Sequence, residues 1–271
     1  MSEIAQPSIL YILGYREADH HRKRNIKICI DWLLEIKEKL KSKSINFDIF
    51  VIEQDVSQKF HPVKNMGYLF VYNDSLYNKP WGFNIAVKLN ANYDYYGFGD
   101  IDLIDIDIDG FCATIVDAIT HNHPTFKPFD QLIYIKELSL VNVSNFSMLC
   151  ENMKVNHDSP RSGFSYSGGI IFMSKYVIEK IHGWDEIFEG WGFEDYAIDH
   201  KINILLSCKK QIYQRIMIHL NHPHQSKTIK FHNKDLLQEL KNKIKNINDL
   251  MSFDHKNSAD VMKYKNFTEN F

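Results

Sequence analysis

Short apolar runs and one amphipathic segment alternate at the start of the chain. Residues 9–13, followed by Gly14, and residues 47–53 are apolar runs of the length that buried strands have. Between them, residues 22–41 carry apolar side chains at every third or fourth position and Lys, Arg and Glu on the other face, which predicts a helix. Because strand, helix and strand in this order form a βαβ unit, we expect a parallel sheet that binds ligands beyond the carboxyl ends of its strands.

The rest of the chain continues this mixture of strand and helix patterns. Strands are expected at 93–98, 132–143, 168–173 and 212–220, and helices at 81–92, 110–120, 174–181, 194–208 and 235–251. Residues 57–80 are typical of a loop apart from an apolar patch at 68–72, and residues 252–271 are typical of a polar tail that frays. Segment 150–164 has the composition of a mobile loop, which we interpret as a lid over a ligand. The sequence contains neither an internal repeat nor a low-complexity linker that would divide it. The pattern therefore predicts one α/β domain.

Composition and charge exclude several classes of protein. A length of 271 residues suits one large domain or two fused lobes, and a formal net charge of -2 argues against a nucleic-acid binder. The sequence has neither a signal-peptide pattern nor an apolar run of about 18 residues, so we expect no transmembrane segment and a cytoplasmic location. The cysteines form no CxxC pair, which is typical of reduced thiols in a cytosolic protein: Cys29, Cys112, Cys150 and Cys208.

The segment from Gly183 to Asp199 is the most informative part of the sequence. It combines aromatic residues, glycines that let the backbone turn tightly, and the acidic pair Glu194 and Asp195 at the expected start of a helix. An aromatic ring can cover the apolar face of a sugar, and a carboxylate accepts from its hydroxyls or takes a proton. A core-packed loop before an acidic helix start explains the same residues, so both interpretations are open. Trp184 in particular is compatible with a core position.

A cluster of aspartates follows the expected strand at 93–98. Asp105, Asp107 and Asp109 match the first half of an EF-hand calcium loop. The twelfth position of that loop requires a bidentate carboxylate and is Val116 here, and the intervening residues are isoleucines, which are typical of a strand. We therefore favour a solvated strand edge over a calcium loop for these three aspartates.

Asp100 and Asp102 come directly after the same expected strand. Residues two apart in an extended segment point the same way, so both carboxylates can face one divalent ion. Hard oxygen ligands favour Mg²⁺ or Mn²⁺. An Asp-x-Asp pair is common, and it indicates a metal site only together with further ligands.

Histidines end the expected strand at 212–220. His219, His222 and His224 lie close together in the sequence, and imidazole is a common metal ligand, so we expect at least one of them to bind the metal. His121 and His123 have a similar spacing but lie in an expected loop with no carboxylate partner nearby. We expect no catalytic role for that second pair.

These motifs together resemble those of the metal-dependent GT-A glycosyltransferases, and most closely the β-1,4-galactosyltransferase family with its bacterial chondroitin-polymerase-like relatives. The resemblance covers roughly residues 9 to 224 and follows the family's order. The matching segments are 15–16 (end of the first strand), 77–84 (Phe-Asn-Arg segment), 99–103 (Asp-Val-Asp-Leu metal motif), 167–169 (paired glycines), 183–195 (Gly-Trp-Gly-x-Glu-Asp signature) and 219–222 (last metal ligand).

The resemblance implies a single GT-A domain, an α/β, Rossmann-like fold with a mixed, mostly parallel central sheet flanked by helices. Residues 1–232 would form this domain, with a nucleotide-binding half at about 1–110 and an acceptor and metal half at about 111–232. Residues 233–271 would add a C-terminal helix and tail. We expect this helix either to pack on the core or to form a homodimer.

The resemblance also implies a role for each matching residue. Asp102 and His222, with His219, would hold Mn²⁺ or Mg²⁺. Asp195 would be the catalytic base, and Glu194 would hold the acceptor. The residues expected to bind the nucleotide and the donor sugar are Tyr15, Arg16, Tyr77, Lys79, Asp100, Gly169 and Trp191.

The implied reaction is the transfer, with inversion, of a hexose or N-acetylhexosamine from a UDP-sugar to a hydroxyl of a glycan or glycoconjugate, as in polysaccharide biosynthesis. Two other functions use the same residues: a metal-dependent hydrolase or phosphatase, and a non-catalytic carbohydrate-binding module. The chain departs from the family at Lys79, where the family has Arg, and at 15–16, where a proline and a second arginine are missing. The stretch after Asp102 is longer than in the family, which indicates an insertion within 105–150.

Overall fold

The computed structural model describes residues 6–135, 140, 143–152, 159–207, 210–223 and 229–264, except for the side chains of 152 and 229–231. The strands of the central sheet are β1 (Ser8–Tyr15), β2 (Asn46–Asp55), β3 (Gly67–Tyr72), β4 (Tyr95–Gly99), β6 (Thr125–Lys127), β8 (Ile170–Ser174) and β9 (Gln211–Ile212). Across the sheet their order is β3-β2-β1-β4-β8-β6-β9. β8 is antiparallel to β4 and β6, and the other neighbouring strands are parallel. The expected mixed, mostly parallel sheet is therefore confirmed.

A smaller sheet and a set of helices complete the described structure. The small sheet contains β5 (Leu103–Ile104), β10 (Ile216–His219) and β7 (Gln131–Tyr134), in that order. The helices are α1 (His20–Lys41), α2 (Lys79–Leu89), α3 (Ile108–Thr120), α4 (Phe146–Asn152), α5 (Lys175–Lys180), α6 (Glu194–Leu206), α7 (Ile229–Lys243) and α8 (Ile247–Ser252). Within the described ranges, none of these helices has the length and apolar character needed to cross a membrane.

Local sequence signals set the starts of several helices. Asp19, Asn78, Asp107 and Ser174 precede α1, α2, α3 and α5, and each side chain accepts a hydrogen bond from a backbone N–H of the first helical turn. These N-caps satisfy donors that have no partner inside the helix. They fix the residue at which each helix begins.

Both faces of the central sheet are covered. On one face Tyr11, Trp32 and Phe172 belong to a core cluster that includes residues of α1 and α3. On the other face Trp81 and Trp184 pack in a second cluster with residues of α2, α5 and α6. Because both faces are buried, β1 is apolar along most of its length and does not alternate with polar residues. Trp184 is therefore a core residue.

The apolar patch at 68–72 belongs to an edge strand. β3 pairs in parallel with β2, so the prediction of a loop is wrong for Gly67–Tyr72. The preceding loop is held by the buried carboxylate of Glu53, which accepts hydrogen bonds from the backbone of Phe60 and from the hydroxyl of Tyr68. Most residues of β3 are only half-buried, because the strand lies at the edge of the sheet. The run itself has the length and apolar character of a strand.

The single strand predicted at 212–220 is two strands in two sheets. β9 lies beside β6 in the central sheet, and β10 lies between β5 and β7. Arg215 separates them, and its guanidinium donates to the carboxylate of Asp105 at 2.9 and 2.7 Å. The prediction of a solvated strand edge is therefore wrong for Asp105, which is buried. Asp107 caps α3 and also pairs with Arg215, whereas Asp109 is exposed.

The loop predicted at 150–164 is described only at its two ends. Helix α4 contains its first residues, and residues 153–158 lie outside the described part of the chain. Near the other end, Arg161 exchanges backbone hydrogen bonds with Leu132 at 2.8 and 2.9 Å. The role of this segment as a lid stays a prediction.

Other predicted elements are present with ends shifted by a few residues, because residue patterns locate helix and strand ends only approximately. The largest difference is in the strand predicted at 132–143. β7 contains its first part, and residues 136–139 and 141–142 lie outside the description.

The helix predicted at 235–251 is two helices, α7 and α8. Asn246 separates them and caps α8 with its side chain. Leu240 and Ile244 of the predicted helix are buried in a cluster with Phe188. These residues therefore pack on the core of their own chain, and a homodimer through this segment stays a prediction.

The segment after α8 is also packed against the domain. The indole N–H of Trp81 donates to the carbonyl of Asp260 at 2.8 Å. The ring of Tyr264 lies edge-on to Trp81, with ring centroids 4.9 Å apart. The prediction of a fraying tail is therefore wrong for residues 253–264, and residues 265–271 lie outside the description.

A buried ion pair joins the loop after α5 to helix α6. The Nζ of Lys201 lies 2.8 Å from Oδ2 of Asp185, and their side chains are 0% and 2% exposed. His255 Nδ1 lies 2.8 Å from the other oxygen of Asp185. Burial raises the pKa of Asp185, but Lys201 and His255 outweigh it and hold the pKa below its usual range. Because both charges are removed from water, each depends on its partner.

We expect Asp185→Asn to lower the free energy of unfolding by about 3–5 kcal/mol, because it leaves the Lys201 ammonium buried without a counterion. Urea denaturation measures this change. Removing both charges, in Asp185→Asn with Lys201→Met, should recover part of the loss. The exposed pair Lys175 and Glu179 provides the control, and Glu179→Gln should change stability by less than about 0.5 kcal/mol. A loss as small as the control's would show that the buried pair does not hold this loop.

Candidate active site

A cleft lies at the carboxyl ends of β1 and β4, where open α/β sheets bind ligands. It brings together the predicted site residues Arg16, Tyr77, Lys79, Asp100, Asp102, Trp191, Glu194, Asp195, His219 and His222. It is also lined by Gly14, Arg22, Ile101, Tyr134 and Gly190.

One lysine lies among three carboxylates in this cleft. The Nζ of Lys79 is 3.2 Å from Asp100 Oδ1, 3.3 Å from Glu194 Oε1 and 3.3 Å from Asp195 Oδ1. Lys79 begins α2, Asp100 follows β4, and the two other acids begin α6. A single cation therefore connects three elements that are far apart in the sequence.

Burial and the neighbouring charges shift the pKa values of these groups. Burial, together with the charges of Glu194 and Asp100, raises the pKa of Asp195 to about 8, although Lys79 opposes the rise. Burial also raises the pKa of Asp100. For Lys79 burial lowers the pKa, but the carboxylates outweigh it and hold the pKa well above its usual value. A carboxyl group that titrates near neutral pH in a cleft is suited to proton transfer.

Asp102, His219 and His222 form a second group that fits a divalent ion. One ligand atom of each lies within 4.8 Å of those of the other two. His222 Nε2 is 2.8 Å from Asp102 Oδ2. Burial raises the pKa of Asp102, but the two histidines hold it below its usual range, and the hydrogen bond to Asp102 raises the pKa of His222. A carboxylate with two imidazoles is a donor set for a transition metal such as Mn²⁺, which would displace the proton on His222.

Asp100 and Asp102 have different partners. Residues 100–102 form a turn instead of an extended strand, so side chains two apart do not point the same way. Asp100 faces Lys79, whereas Asp102 faces His222. The expectation that both carboxylates face one ion has no support in this geometry.

Arg16 connects the ends of three strands. Its guanidinium donates to the backbone carbonyls of Gln54, Asn73 and Ser75 at 2.7 to 2.9 Å. The buried side chain of Gln54 in turn accepts from the backbone N–H of Asn78 at 3.1 Å. This polar network fixes the loops on the side of the cleft formed by β1, β2 and β3. In this structure Arg16 therefore fixes the shape of the cleft.

Two asparagines of segment 77–84 bind the loop after α5. Asn78 caps α2 and donates to the carbonyl of Glu186 at 2.9 Å. Asn84 donates to the carbonyl of Trp184 at 2.8 Å and accepts from its N–H at 2.9 Å. The sequence segments that resemble the family's Phe-Asn-Arg and Gly-Trp-Gly-x-Glu-Asp motifs are therefore held together by direct hydrogen bonds.

Segment 167–169 is held to α6 in the same way. Asp199 accepts from the backbone N–H groups of Tyr166 and Ser167 at 2.9 and 2.8 Å, and also from the Ser167 hydroxyl. Asp199 lies one helical turn after Asp195, so these bonds fix the helix whose first turn faces the cleft.

The backbone before α6 turns sharply. Gly190, Gly192 and Phe193 have φ of +72°, +102° and +72°. The backbone of Phe193 is strained, because residues other than glycine rarely adopt this left-handed region. Such strain is concentrated at functional sites. The turn presents Trp191, whose side chain is 46% exposed, at the cleft. It also places Glu194 and Asp195 at a helix N-terminus, which favours negative charge.

The C-terminal segment reaches the same turn. The hydroxyl of Tyr264 accepts from Asn78 at 3.0 Å and donates to Glu189 at 2.6 Å. Gly190, the next residue, donates its N–H to the carbonyl of Tyr77 at 2.7 Å. Tyr264 therefore joins the two loops that carry Lys79 and Trp191.

Two predicted donor-binding residues do not line the cleft, and one alternative ligand is not described. Tyr15 packs its ring on Phe60, with centroids 5.7 Å apart, and is 1% exposed. The carbonyl of Gly169 accepts from the N–H of Asp100 at 2.9 Å, so it supports the end of β4 from behind. His224 lies outside the described residues.

The sequence pattern does not single out Arg22 or Tyr134, which the structure adds to the site. Arg22 lies in the first turn of α1, directly after β1 reaches the cleft. A basic residue where a helix N-terminus faces a ligand site is a signal for anion binding. Tyr134 ends β7 beside His219 in the small sheet, and the two rings stack with centroids 4.7 Å apart. This pairing depends on strand register, which the sequence does not contain.

Comparison with known protein sequences links the second half of the chain to galactosyltransferases. A family model described as the N-terminal domain of galactosyltransferase matches residues 148–223. β-1,4-Galactosyltransferase 2 of Cricetulus griseus is 23% identical over 197 residues, which are 73% of this chain and 40% of that protein. The chain thus spans about two fifths of the length of the curated relatives that it matches.

Comparison with solved structures gives the fold. The catalytic domain of Drosophila β1,4-galactosyltransferase 7 in complex with xylobiose has a TM-score of 0.51 and 13% identity, covering 89% of this chain and 83% of that one. A mutant of the same enzyme in complex with manganese, UDP-Gal and xylobiose has a TM-score of 0.50 and 13% identity, covering 86% and 79%. The chain has a GT-A fold and resembles the β-1,4-galactosyltransferases.

We expect Mn²⁺ to raise the melting temperature of the metal-stripped protein, because it binds the folded state at Asp102, His219 and His222. His222→Ala and Asp102→Asn should each abolish most of this rise, since each removes one of the three ligands. Differential scanning calorimetry with and without Mn²⁺ measures the effect. His61→Ala, which removes an exposed histidine outside the group, should keep the full rise. The same Mn²⁺ response in His222→Ala as in the wild type would rule this group out.

Proposed function

We propose that the protein is a metal-dependent, inverting glycosyltransferase that moves a sugar from a UDP-sugar to a hydroxyl of a glycan or glycoconjugate. The observation that carries the proposal is that one cleft contains both a carboxylate–imidazole group and a separate acidic pair. The first group suits the diphosphate of a donor through a divalent ion, and the second suits the hydroxyl of an acceptor.

The similar structures support the choice of metal, donor and acceptor class. The mutant of the Drosophila enzyme is in complex with manganese, UDP-Gal and xylobiose. Asp102, His219 and His222 are a donor set compatible with the same ion. We therefore propose Mn²⁺, with Mg²⁺ as the alternative hard ion, a UDP-linked hexose or N-acetylhexosamine as donor, and a sugar hydroxyl as acceptor.

Positive charge on the donor side would come from a metal and an arginine. A divalent ion held by Asp102, His219 and His222 would neutralise the charge that develops on the departing diphosphate. Arg22 lines the same cleft, and we propose that its guanidinium binds the diphosphate directly. Both groups would stabilise the transition state more than the ground state, because the leaving group gains charge as the bond breaks.

The nucleoside is proposed to lie on the side of the cleft formed by Arg16 and Tyr77. Arg16 already donates to three backbone carbonyls, so we propose that it contacts the base through its fixed planar face. Lys79 lies among the acids, which does not favour the contact to the uridine that the family resemblance implies. We propose instead that Lys79 orients Asp195 for the reaction.

Asp195 is proposed as the general base. Its carboxylate would take the proton of the acceptor hydroxyl as the oxygen attacks the anomeric carbon from the face opposite the diphosphate, so a single displacement inverts that centre. Glu194 would accept a hydrogen bond from a neighbouring hydroxyl, and the exposed ring of Trp191 would cover the sugar face. Much of the rate would come from holding the two reactants in line.

The finer assignments follow from this proposal. The nucleotide would bind mainly to residues at about 1–110 and the acceptor to residues at about 111–232.

Cys29, Cys112 and Cys150 are free thiols, which supports a reducing compartment such as the cytoplasm. We propose a role in polysaccharide biosynthesis, because the resemblance includes bacterial chondroitin-polymerase-like enzymes.

We expect Asp195→Asn to bind the donor and Mn²⁺ but to lower kcat by about 10²–10⁴-fold, because the amide cannot take the proton. The assay incubates UDP-hexoses and UDP-N-acetylhexosamines with Mn²⁺ and a set of mono- and disaccharides, and detects the products by mass spectrometry. Asp109→Asn, an exposed aspartate outside the cleft, is the matched control and should keep full activity. Release of UDP at the same rate without any acceptor would favour a hydrolase and contradict transfer.

We expect kcat/KM to rise about tenfold between pH 7 and pH 9, because Asp195 with a pKa of about 8 acts as a base only when it is ionised. Initial rates across this range at saturating Mn²⁺ measure the profile. The charge of Glu194 raises the pKa of Asp195, so Glu194→Gln should move the rising limb to lower pH whatever its effect on the maximum rate. A profile that is flat from pH 7 to pH 9 in the wild type would exclude a base that titrates in this range.

A further inference from the structure

His121 and His123 have a carboxylate partner, which corrects the expectation drawn from the sequence. His121 follows the last residue of α3, and its Nδ1 lies 3.1 Å from Oδ1 of Asp117. One ligand atom each from Asp117, His121 and His123 lies within 4.8 Å of the other two. Asp117 and His121 are four residues apart, so they share a face of the helix. None of the three residues lines the cleft.

The backbone holds the two histidines in place. Asn122 has φ of +52°, and His123 donates its N–H to the carbonyl of Ala118 at 2.9 Å. Asn122 donates to the carbonyl of Ile119 at 3.0 Å. These bonds form the Schellman arrangement that ends a helix, and they turn the chain so that His123 returns towards the last helical turn. The backbone of both histidines therefore has a defined conformation before any ligand binds.

The end of α3 favours a cation, although Lys39, which is paired with Asp109, and Lys43 line the same groove as Asp117 and His121. The carbonyl end of a helix carries partial negative charge, and α3 has no basic residue in its last turn. The side chains of Asp117 and His121 are 46% and 62% exposed, so an ion has access from solvent.

A hydrogen bond from outside the group orients the carboxylate. The hydroxyl of Tyr213 donates to Oδ2 of Asp117 at 2.6 Å. The other oxygen, Oδ1, is the one that faces His121. Protein groups that hydrogen-bond to metal-binding carboxylates in this way orient them and raise the affinity for the metal.

We propose that Asp117, His121 and His123 bind Zn²⁺, or an ion of similar preference such as Co²⁺ or Ni²⁺, at a site distinct from the cleft. Two imidazoles and one carboxylate are a donor set for these ions, and three protein ligands leave a fourth position for water. Bound metal would connect the end of α3 to the start of β6, which begins two residues after His123, and through Asp117 to Tyr213. The proposal does not depend on the function proposed for the cleft.

Isothermal titration of the metal-stripped full chain with Zn²⁺ tests the proposal. His222→Ala serves as the background, because the group in the cleft also offers two imidazoles and a carboxylate. In that background we expect one equivalent of Zn²⁺ to bind, and we expect His121→Ala with His123→Ala to remove it. The matched control replaces two exposed histidines outside both groups, His61→Ala with His232→Ala, and should keep the equivalent.

Two further measurements separate a bound ion from a folding defect and from weak surface binding. With EDTA present, His121→Ala/His123→Ala should melt at the temperature of its background, whereas Zn²⁺ at about 100 times its dissociation constant should raise the melting temperature of the background alone by about 5–10 °C. Tyr213→Phe should keep the stoichiometry and weaken binding by about 10-fold or more. Equal binding of Zn²⁺ by His121→Ala/His123→Ala and by the control would overturn the proposal.

Discussion

The placement of a single ammonium group among three carboxylates is the constraint on which the cleft depends. Lys79 lies 3.2 to 3.3 Å from Asp100, Glu194 and Asp195, which arrive from the end of a strand and the start of a helix. In a partly buried site, acids that are this close would repel one another strongly without the lysine. The adjacent Asn78 caps α2 and binds the loop before Trp191. One short segment therefore sets both the charge and the shape of the site.

The parts of the molecule that follow from local patterns could be predicted from the sequence. The βαβ start, the amphipathic α1 and the buried strands all depend on the spacing of apolar residues, which is visible in the chain itself. Arg16, Asp100 and Asp102 line one cleft because they follow β1 and β4, whose carboxyl ends meet at one edge of the sheet. The resemblance to a known family then assigned roles to residues such as Asp102 and Asp195, which spacing alone does not distinguish.

The parts that could not be predicted depend on partners distant in the sequence. Asp105 lies in a run of aspartates of the kind that is usually exposed to solvent. It is nevertheless buried, because Arg215, 110 residues later, neutralises its charge. The sequence does not show that His121 and His123 have a carboxylate partner, because Asp117 comes beside His121 only when the segment forms a helix. The division between β9 and β10 likewise depends on which strand each one pairs with, and apolar spacing does not contain that information.

The position of Tyr264 has a consequence for the order in which the protein matures. Its hydroxyl joins Asn78 to Glu189, so the two loops of the cleft are held together by a residue that follows every strand of the sheet. During synthesis the strands of the sheet leave the ribosome before Tyr264 does, so the sheet can assemble before this contact forms. The two loops of the cleft would therefore be joined after the sheet that carries them has folded.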